Sequence, residues 1–316
     1  MGTETSYLGF RLPHPFIAGA SPFGYHLDTV RRLEDGGCAA VVLHSLFEEQ
    51  ITGSHDNGAR YALDPDAYAE HVRRAKDAIH VPVIGSLNGT SKQSWLKFAR
   101  LIEQAGADAL ELNLYEVFAD PRAPAAAIED QLAGIVREVK RLLTIPVAVK
   151  VTPFFTSFAN FARQLDTEGA DALVLFNRFY QNDLDIKTLR VAPHVELSSS
   201  SELLLRLHWL AILYGRVRPA LAVTGGIGTP EDGVKAILSG ADAVQLVSAL
   251  LRNGTRYVQT MREGLARWME EHEVATLDEI RGRASFEHVS DPETLERANY
   301  IRTLQSWGHE SWPQSR

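Results

Sequence analysis

Lys150 ends the apolar run Val147-Ala148-Val149 and is followed by Val151-Thr152-Pro153. An ammonium at the end of a buried strand is costly unless something anionic or electron-rich meets it. Lysines more often cap a strand in open solvent, but the unbroken run before Lys150 favours a working role. It could hold a phosphate, form a Schiff base or lie against an electron-rich ring. Asn113 and Asn177 also stand at the ends of apolar runs. An amide donates and accepts without changing charge, which suits reading a polar ring or gripping a carbonyl. Lone asparagines are commonly turn or cap residues; two at equivalent places argue for a site. Gly225-Gly226-Ile227-Gly228 leads into Thr229-Pro230-Glu231-Asp232, a glycine turn feeding a helix start. Backbone N–H groups there can close on a phosphate, and Ser248 supplies a further donor.

The elements that must carry these residues are written in a repeated pattern. Gly37-Cys38-Ala39-Ala40 leads through Val41-Val42-Leu43 to His44-Ser45. Gly106-Ala107-Asp108-Ala109 leads to Asn113, Gly169-Ala170-Asp171-Ala172 to Asn177, and Gly240-Ala241-Asp242-Ala243 to Ser248. An apolar run is how a buried parallel strand reads, so each polar residue lies at a strand's C-terminal end. Three further strands open on proline, at Val81-Pro82, Ile145-Pro146 and Arg218-Pro219, and a fourth covers Pro15 to Ala20. Proline is tolerated there because its missing N–H breaks no ladder.

Amphipathic helices stand between the strands, as in 94–104 and 127–143. Eight strands alternating with helices predict a single-domain (β/α)8 TIM barrel over 1–316, with a helical C-terminal extension over 268–316. An open doubly wound sheet is the competing arrangement. In either fold ligands bind at the C-terminal strand ends, and in barrels a phosphate site after strands seven and eight recurs. Two long connections, 46–68 and 178–202, leave those same ends and read as binding loops.

The composition narrows the partners. Of 316 residues 45% are hydrophobic and 23% charged, with a formal net charge of -8. That balance argues against nucleic acid and anionic membranes. No apolar run is long enough to span a bilayer, and no basic-then-apolar leader opens the chain. The single cysteine, Cys38, allows no intramolecular disulfide and no iron–sulfur cluster held by this chain alone. A cytoplasmic location is the expectation.

Several of these segments match a family. Tyr7-Leu8-Gly9-Phe10, Pro15 to Ser21, Ser86-Leu87-Asn88-Gly89-Thr90-Ser91, Ala105 to Asn113, Val149 to Pro153 and Thr224 to Ile227 resemble the dihydroorotate dehydrogenases, in order along nearly the whole barrel. The resemblance implies a noncovalent FMN on the C-terminal face. Ala20 and Ser21 would lie beside the isoalloxazine, with His44 and Ser45 as further flavin contacts. Lys150 would face the N1/O2 edge, where positive charge stabilises the anionic reduced flavin. Asn88, Asn113 and Asn177 would line the flavin or substrate pocket. Ser199, Gly225, Gly226 and Ser248 would hold the phosphate side.

The departures bear on the substrate. Family members read Asn-Leu-Ser-Cys-Pro-Asn or similar after the fourth strand, where this chain has Asn113-Leu114-Tyr115-Glu116-Val117-Phe118. Glu116 thus takes the place of the base, and Phe118 that of a substrate asparagine. His44 stands where a lysine is usual. This combination resembles the divergent dihydroorotate-dehydrogenase-like subgroup. The leading expectation is hydride transfer between a small substrate and flavin N5, with dihydroorotate as one substrate and Glu116 and Lys150 as the catalytic pair. A flavin-binding electron-transfer or regulatory module, with a protein partner, is the second. A flavin-free barrel acting on a sugar phosphate is the third. By family analogy the assembly is a homodimer.

Overall fold

Eight parallel strands close on themselves in the computed structural model, which describes residues 2–48, 64–89, 91–178, 182–192, 194–287 and 289–306. They are β1 (Phe16–Ala18), β2 (Val41–Phe47), β3 (Val83–Asn88), β4 (Ala109–Asn113), β5 (Val147–Val151), β6 (Ala172–Leu175), β7 (Ala220–Thr224) and β8 (Ala243–Leu246). Each pairs with the next in sequence, and β8 pairs with β1, so the barrel is closed and the open sheet is excluded.

Side chains alternate between the two faces of a strand. Inward-facing positions are mostly small: Ala109, Ala148, Ala172, Ala222 and Ala243 gather with Ile17, Val42 and Ile84. The room they leave is filled by Tyr7, Leu8 and Leu12 from an antiparallel hairpin, Thr5–Tyr7 with Phe10–Leu12. Outward-facing Val41, Leu43, Val83, Leu110, Val147, Val149 and Leu173 form the larger core under the helices. Each such side chain, fully buried, contributes about 1.5–3 kcal/mol.

The helices are α1 (Leu27–Asp35), α2 (Pro65–Ala78), α3 (Lys92–Gln104), α4 (Ala125–Leu142), α5 (Phe158–Thr167), α6 (Leu203–Leu213), α7 (Pro230–Leu238), α8 (Ser248–Asn253), α9 (Tyr257–Glu271) and α10 (Pro292–Gln305). The helix starts follow local chemistry. Asp64 and Ser91 cap α2 and α3, and Thr229 and Asp232 cap α7 reciprocally, satisfying N–H groups that a helix leaves open.

The repeated Gly-Ala-Asp-Ala units have one structural job at the N-terminal end of the barrel. Gly106, Gly169 and Gly240 adopt φ of 93°, 89° and 114°, turning the chain from helix to strand where a side chain would be strained. The aspartate then accepts from a backbone N–H at the start of a neighbouring strand. Asp108 Oδ2 takes Val83 N at 2.7 Å, Asp171 Oδ2 takes Val147 N at 2.7 Å, and Asp242 Oδ2 takes Leu221 N at 2.8 Å. The Cys38 unit has no aspartate, and Glu34 Oε1 instead receives the N–H groups of His80 and Val81.

Beyond α9 a short turn, Leu277–Glu279, precedes α10, which buries no residue and meets α6 through His208 and Glu296 at 3.4 Å. Trp268 belongs to α9 and stacks on His272; Trp307 and Trp312 lie outside the described residues. The 46–68 connection also falls mostly outside them, since β2 continues to Phe47 and α2 begins at Pro65. The 178–202 connection carries a hairpin, Asp183–Asp185 with Arg190–Ala192. Among the described residues no helix is long and apolar enough to cross a membrane.

Candidate active site

Lys150 lies near the end of β5, and its register partner on β4 is Asn113. Both are buried, at 6% and 8% exposure. Lys150 Nζ reaches Glu111 Oε1 at 3.3 Å, and Glu111 is itself 1% exposed. Glu111 stands two residues before Asn113, so strand periodicity sends both side chains inward. Its other oxygen, Oε2, accepts from Gln245 Nε2 on β8 at 2.6 Å. Below them lies the Tyr7 phenol, pushed well above its ordinary range by burial and then by the Glu111 carboxylate. Tyr7 Oη and Gln245 Oε1 have no hydrogen-bond partner among the described residues.

A second polar group surrounds Asn113. Asn177 Nδ2 donates to Asn113 Oδ1, and Asn113 Nδ2 donates to Ser45 Oγ at 3.4 Å. Ser45 Oγ shares a 2.7 Å hydrogen bond with Ser86 Oγ. Asn88 Nδ2 donates to the carbonyls of Asn113 at 2.7 Å and Tyr115 at 3.1 Å, fixing the start of the following loop. Strand ends β2, β3, β4 and β6 thus meet through side chains that change no charge.

A third group forms where β7 and β8 end. Gly225 and Gly226 both have left-handed φ, 81° and 79°. A Cβ on Gly226 would come within 2.5 Å of Leu203 N. Gly226 N donates to Ser198 Oγ at 3.0 Å, and the Ser198 hydroxyl donates to Ser248 Oγ at 2.9 Å. Arg252 holds the same segment through the carbonyls of Ser198 and Leu197, each at 2.7 Å.

Most of the residues singled out in the sequence fall into these three groups; others do not. Ser45, Asn88, Asn113, Lys150 and Asn177 come together, as do Gly226 and Ser248, with Gly225 adjoining. Ala20 and Ser21 are half-buried where the chain leaves β1. His44 is not brought to Lys150. A register irregularity in β2 between Val42 and Ser45 turns it away from the face that Ser45 shares with Val42, and it packs against Tyr25, Tyr68 and His71. His44 Nδ1–H and His71 Nε2–H both donate to the carbonyl of Gly24, at 2.9 and 2.6 Å. Burial pushes the His44 imidazole down to about 4, so the ring is neutral. Ser199 is exposed and bonds Ser201, and its neighbour Ser198 is the residue that bonds Ser248.

Glu116 is exposed on the loop after β4. It lines a cavity of about 480 Å³ with Leu114, Phe118, Glu129, Thr152 and Phe154. Ser45, Asn88, Asn113, Lys150 and Asn177 do not line that cavity. Its floor nevertheless touches them in sequence, because Leu114 follows Asn113 and Thr152 lies two beyond Lys150.

Glu111, Gln245, Ser86 and Ser198 were not singled out in the sequence. Two carried a readable signal: Gln245 interrupts the apolar run Ala243-Val244-Gln245-Leu246, and Glu111 precedes Asn113 by one strand period.

A sequence model described as dihydroorotate dehydrogenase matches residues 52–269, more than two thirds of the chain. The chain belongs to the dihydroorotate dehydrogenase family. Among relatives, it is 25% identical to the NAD-dependent dihydropyrimidine dehydrogenase subunit PreA of Escherichia coli, over 94% of this chain and 80% of that protein. It is 27% identical to the catalytic subunit of dihydroorotate dehydrogenase B (NAD(+)) of Thermoplasma acidophilum, covering 89% of this chain and 98% of the relative. The chloroplastic dihydropyrimidine dehydrogenase (NADP(+)) of Arabidopsis thaliana is 24% identical over 87% of this chain and 75% of its own length. What the dihydroorotate dehydrogenase family and these relatives share by name is oxidoreductase chemistry. The three polar groups sit where a barrel of this family would be expected to bind its ligands, at the C-terminal strand ends.

Proposed function

We propose that this chain binds FMN and moves a hydride between flavin N5 and a small, cyclic, polar substrate. The observation that carries the reading is a buried lysine, Lys150, in register with the fixed amide of Asn113 at the mouth of a family barrel. The donor set fits the cofactor. Lys150 offers positive charge, Asn113, Asn177 and Ser45 offer amide and hydroxyl groups for a ring edge, and the Gly225-Gly226 turn keeps backbone free of side chains beside Ser248. At Gly19 a Cβ would meet Val247 Cγ2 at 2.8 Å, so the exit of β1 is also kept bare beside Ala20 and Ser21.

When bound, FMN supplies the two-electron acceptor that no side chain provides. The protein's own part is placement and charge. Lys150 would offer its positive charge to the ring of a bound FMN, in a dry setting where such an interaction is strengthened. Asn113 and Asn177 hold each other's orientation, so the hydrogen bonds they present are set before a ligand arrives. Gly225, Gly226 and Ser248 serve the phosphate. The cavity beside Glu116 gives a substrate access from the β4 and β5 ends, and Glu116 Oε is the base that accepts the substrate proton. The relatives' names point to a reduced pyrimidine ring, with the Glu116 and Phe118 replacements altering which one. The expected unit is one FMN-binding barrel, cytoplasmic and dimeric, passing electrons to a further acceptor.

The test is anaerobic mixing of FMN-loaded protein with dihydroorotate and with dihydrouracil, followed by flavin absorbance. Bleaching by either ring supports the reading, and its loss in Glu116→Gln at unchanged FMN content assigns the base. A purified chain that takes up no FMN sinks the proposal.

A further inference from the structure

Glu111 is an expensive residue for a barrel interior otherwise lined mostly by alanines and other apolar side chains. A buried carboxylate must be paired, and replacing a buried ion pair with apolar groups of similar size is often neutral or stabilising. The fold therefore has little use for it. Each of its oxygens is nonetheless spent on one specific partner. Oε1 meets Lys150 Nζ at 3.3 Å and Oε2 accepts from Gln245 Nε2 at 2.6 Å. Because the carboxylate only accepts, it also dictates which end of the Gln245 amide faces it. Gln245 is 0% exposed and comes from β8, which is not a neighbour of β4 in the barrel. Two strands that share no ladder are thus joined through the lumen, and what the arrangement delivers at the mouth is the ammonium of Lys150.

We infer that Glu111 is a positioning residue: it compensates and aims Lys150, so that the lysine's charge meets the flavin, and Gln245 holds Glu111 in place to do so. This rests on the FMN reading above. Metal-binding and catalytic groups elsewhere depend on such supporting partners for their orientation. Without the carboxylate, the ammonium is left buried with no opposite charge and is no longer held at the site. Its positive charge is then lost from the flavin edge.

The experiment is a double-mutant cycle on FMN-loaded protein, with the flavin midpoint potential and the FMN dissociation constant as readouts. Glu111→Gln keeps the side-chain shape. It should lower the potential toward the Lys150→Met value and weaken FMN binding at least roughly tenfold, as expected when one member of a buried charge pair is removed. In the Lys150→Met background the same Glu111→Gln change should no longer lower the potential, because there is no ammonium left to position and loss of a carboxylate by itself acts only upward. Should Glu111→Gln fail to fold, Glu111→Asp, which keeps the charge but cannot reach as far, should give a smaller fall of the same sign. Equal shifts in both backgrounds overturn the inference while leaving the FMN reading intact, and so does a rise in potential on Glu111→Gln. A wild-type chain that binds no FMN overturns both.

Discussion

Asn177 donates its side-chain amide to Oδ1 of Asn113, although 64 residues separate them in the chain. This bond decides how Asn113 is turned. With Oδ1 taken, Nδ2 faces Ser45, and Ser45 in turn faces Ser86. Replacing Asn177 with Leu removes the donor and leaves Asn113 free to rotate. FMN affinity should fall by about 1–3 kcal/mol, the cost of a buried polar group left unmade. A fluorescence titration checks this, and an unchanged dissociation constant would take the amide pair out of the cofactor site.

Two glycines give opposite expectations. Gly226 has φ of 79° and would place a Cβ 2.5 Å from Leu203 N, so Gly226→Ala should displace the turn beside Ser198 and Ser248 and abolish FMN uptake. Gly134 lies inside α4 with nothing within 4 Å of the added carbon. Gly134→Ala should raise stability by about 0.5–1 kcal/mol with FMN binding unchanged. Chemical denaturation of both variants, with FMN titration, makes the comparison.

The aspartates at the barrel floor are structural, and substitution there should be felt as stability. Asp171→Ala strips Val147 N of its acceptor and removes the partner of Lys140. The expected loss is about 1–3 kcal/mol. A thermal melt that does not move would show that water replaces the carboxylate without penalty.

Acid should unfold the protein partly through its buried imidazoles. His14 and His44 are each pushed down to about 4, first by burial. An unfolded imidazole protonates near 6.5. Between those values the unfolded chain therefore binds more protons, and stability rises with pH. The contribution is whole above about 6.5 and is lost as pH falls toward 4, amounting to about 3 kcal/mol for each ring at the acid end. Melting temperatures at pH 7.5, 6 and 5 should fall less steeply for His44→Gln than for the wild type. Parallel slopes would mean that His44 is protonated at little cost in the folded protein.

The sequence by itself determined the barrel, its strand ends and the polar residues standing there. Apolar runs, glycine turns and the aspartate repeat are local, and local chemistry decides each of them. Lys150, Asn113, Asn177 and Ser248 were legible because a polar residue ending a buried strand marks the mouth of the fold. Tertiary structure alone decided which of these touch. Strand periodicity says that Glu111 and Gln245 face inward, but only closure of the sheet brings Gln245 Nε2 to 2.6 Å from Glu111 Oε2 across the lumen. One residue of loop path decided that Ser198, not Ser199, meets Ser248. A register irregularity between Val42 and Ser45 sent His44 outward to Gly24 and Ser45 inward to Asn113, where an unbroken pleat would have put His44 on the inner face with Val42.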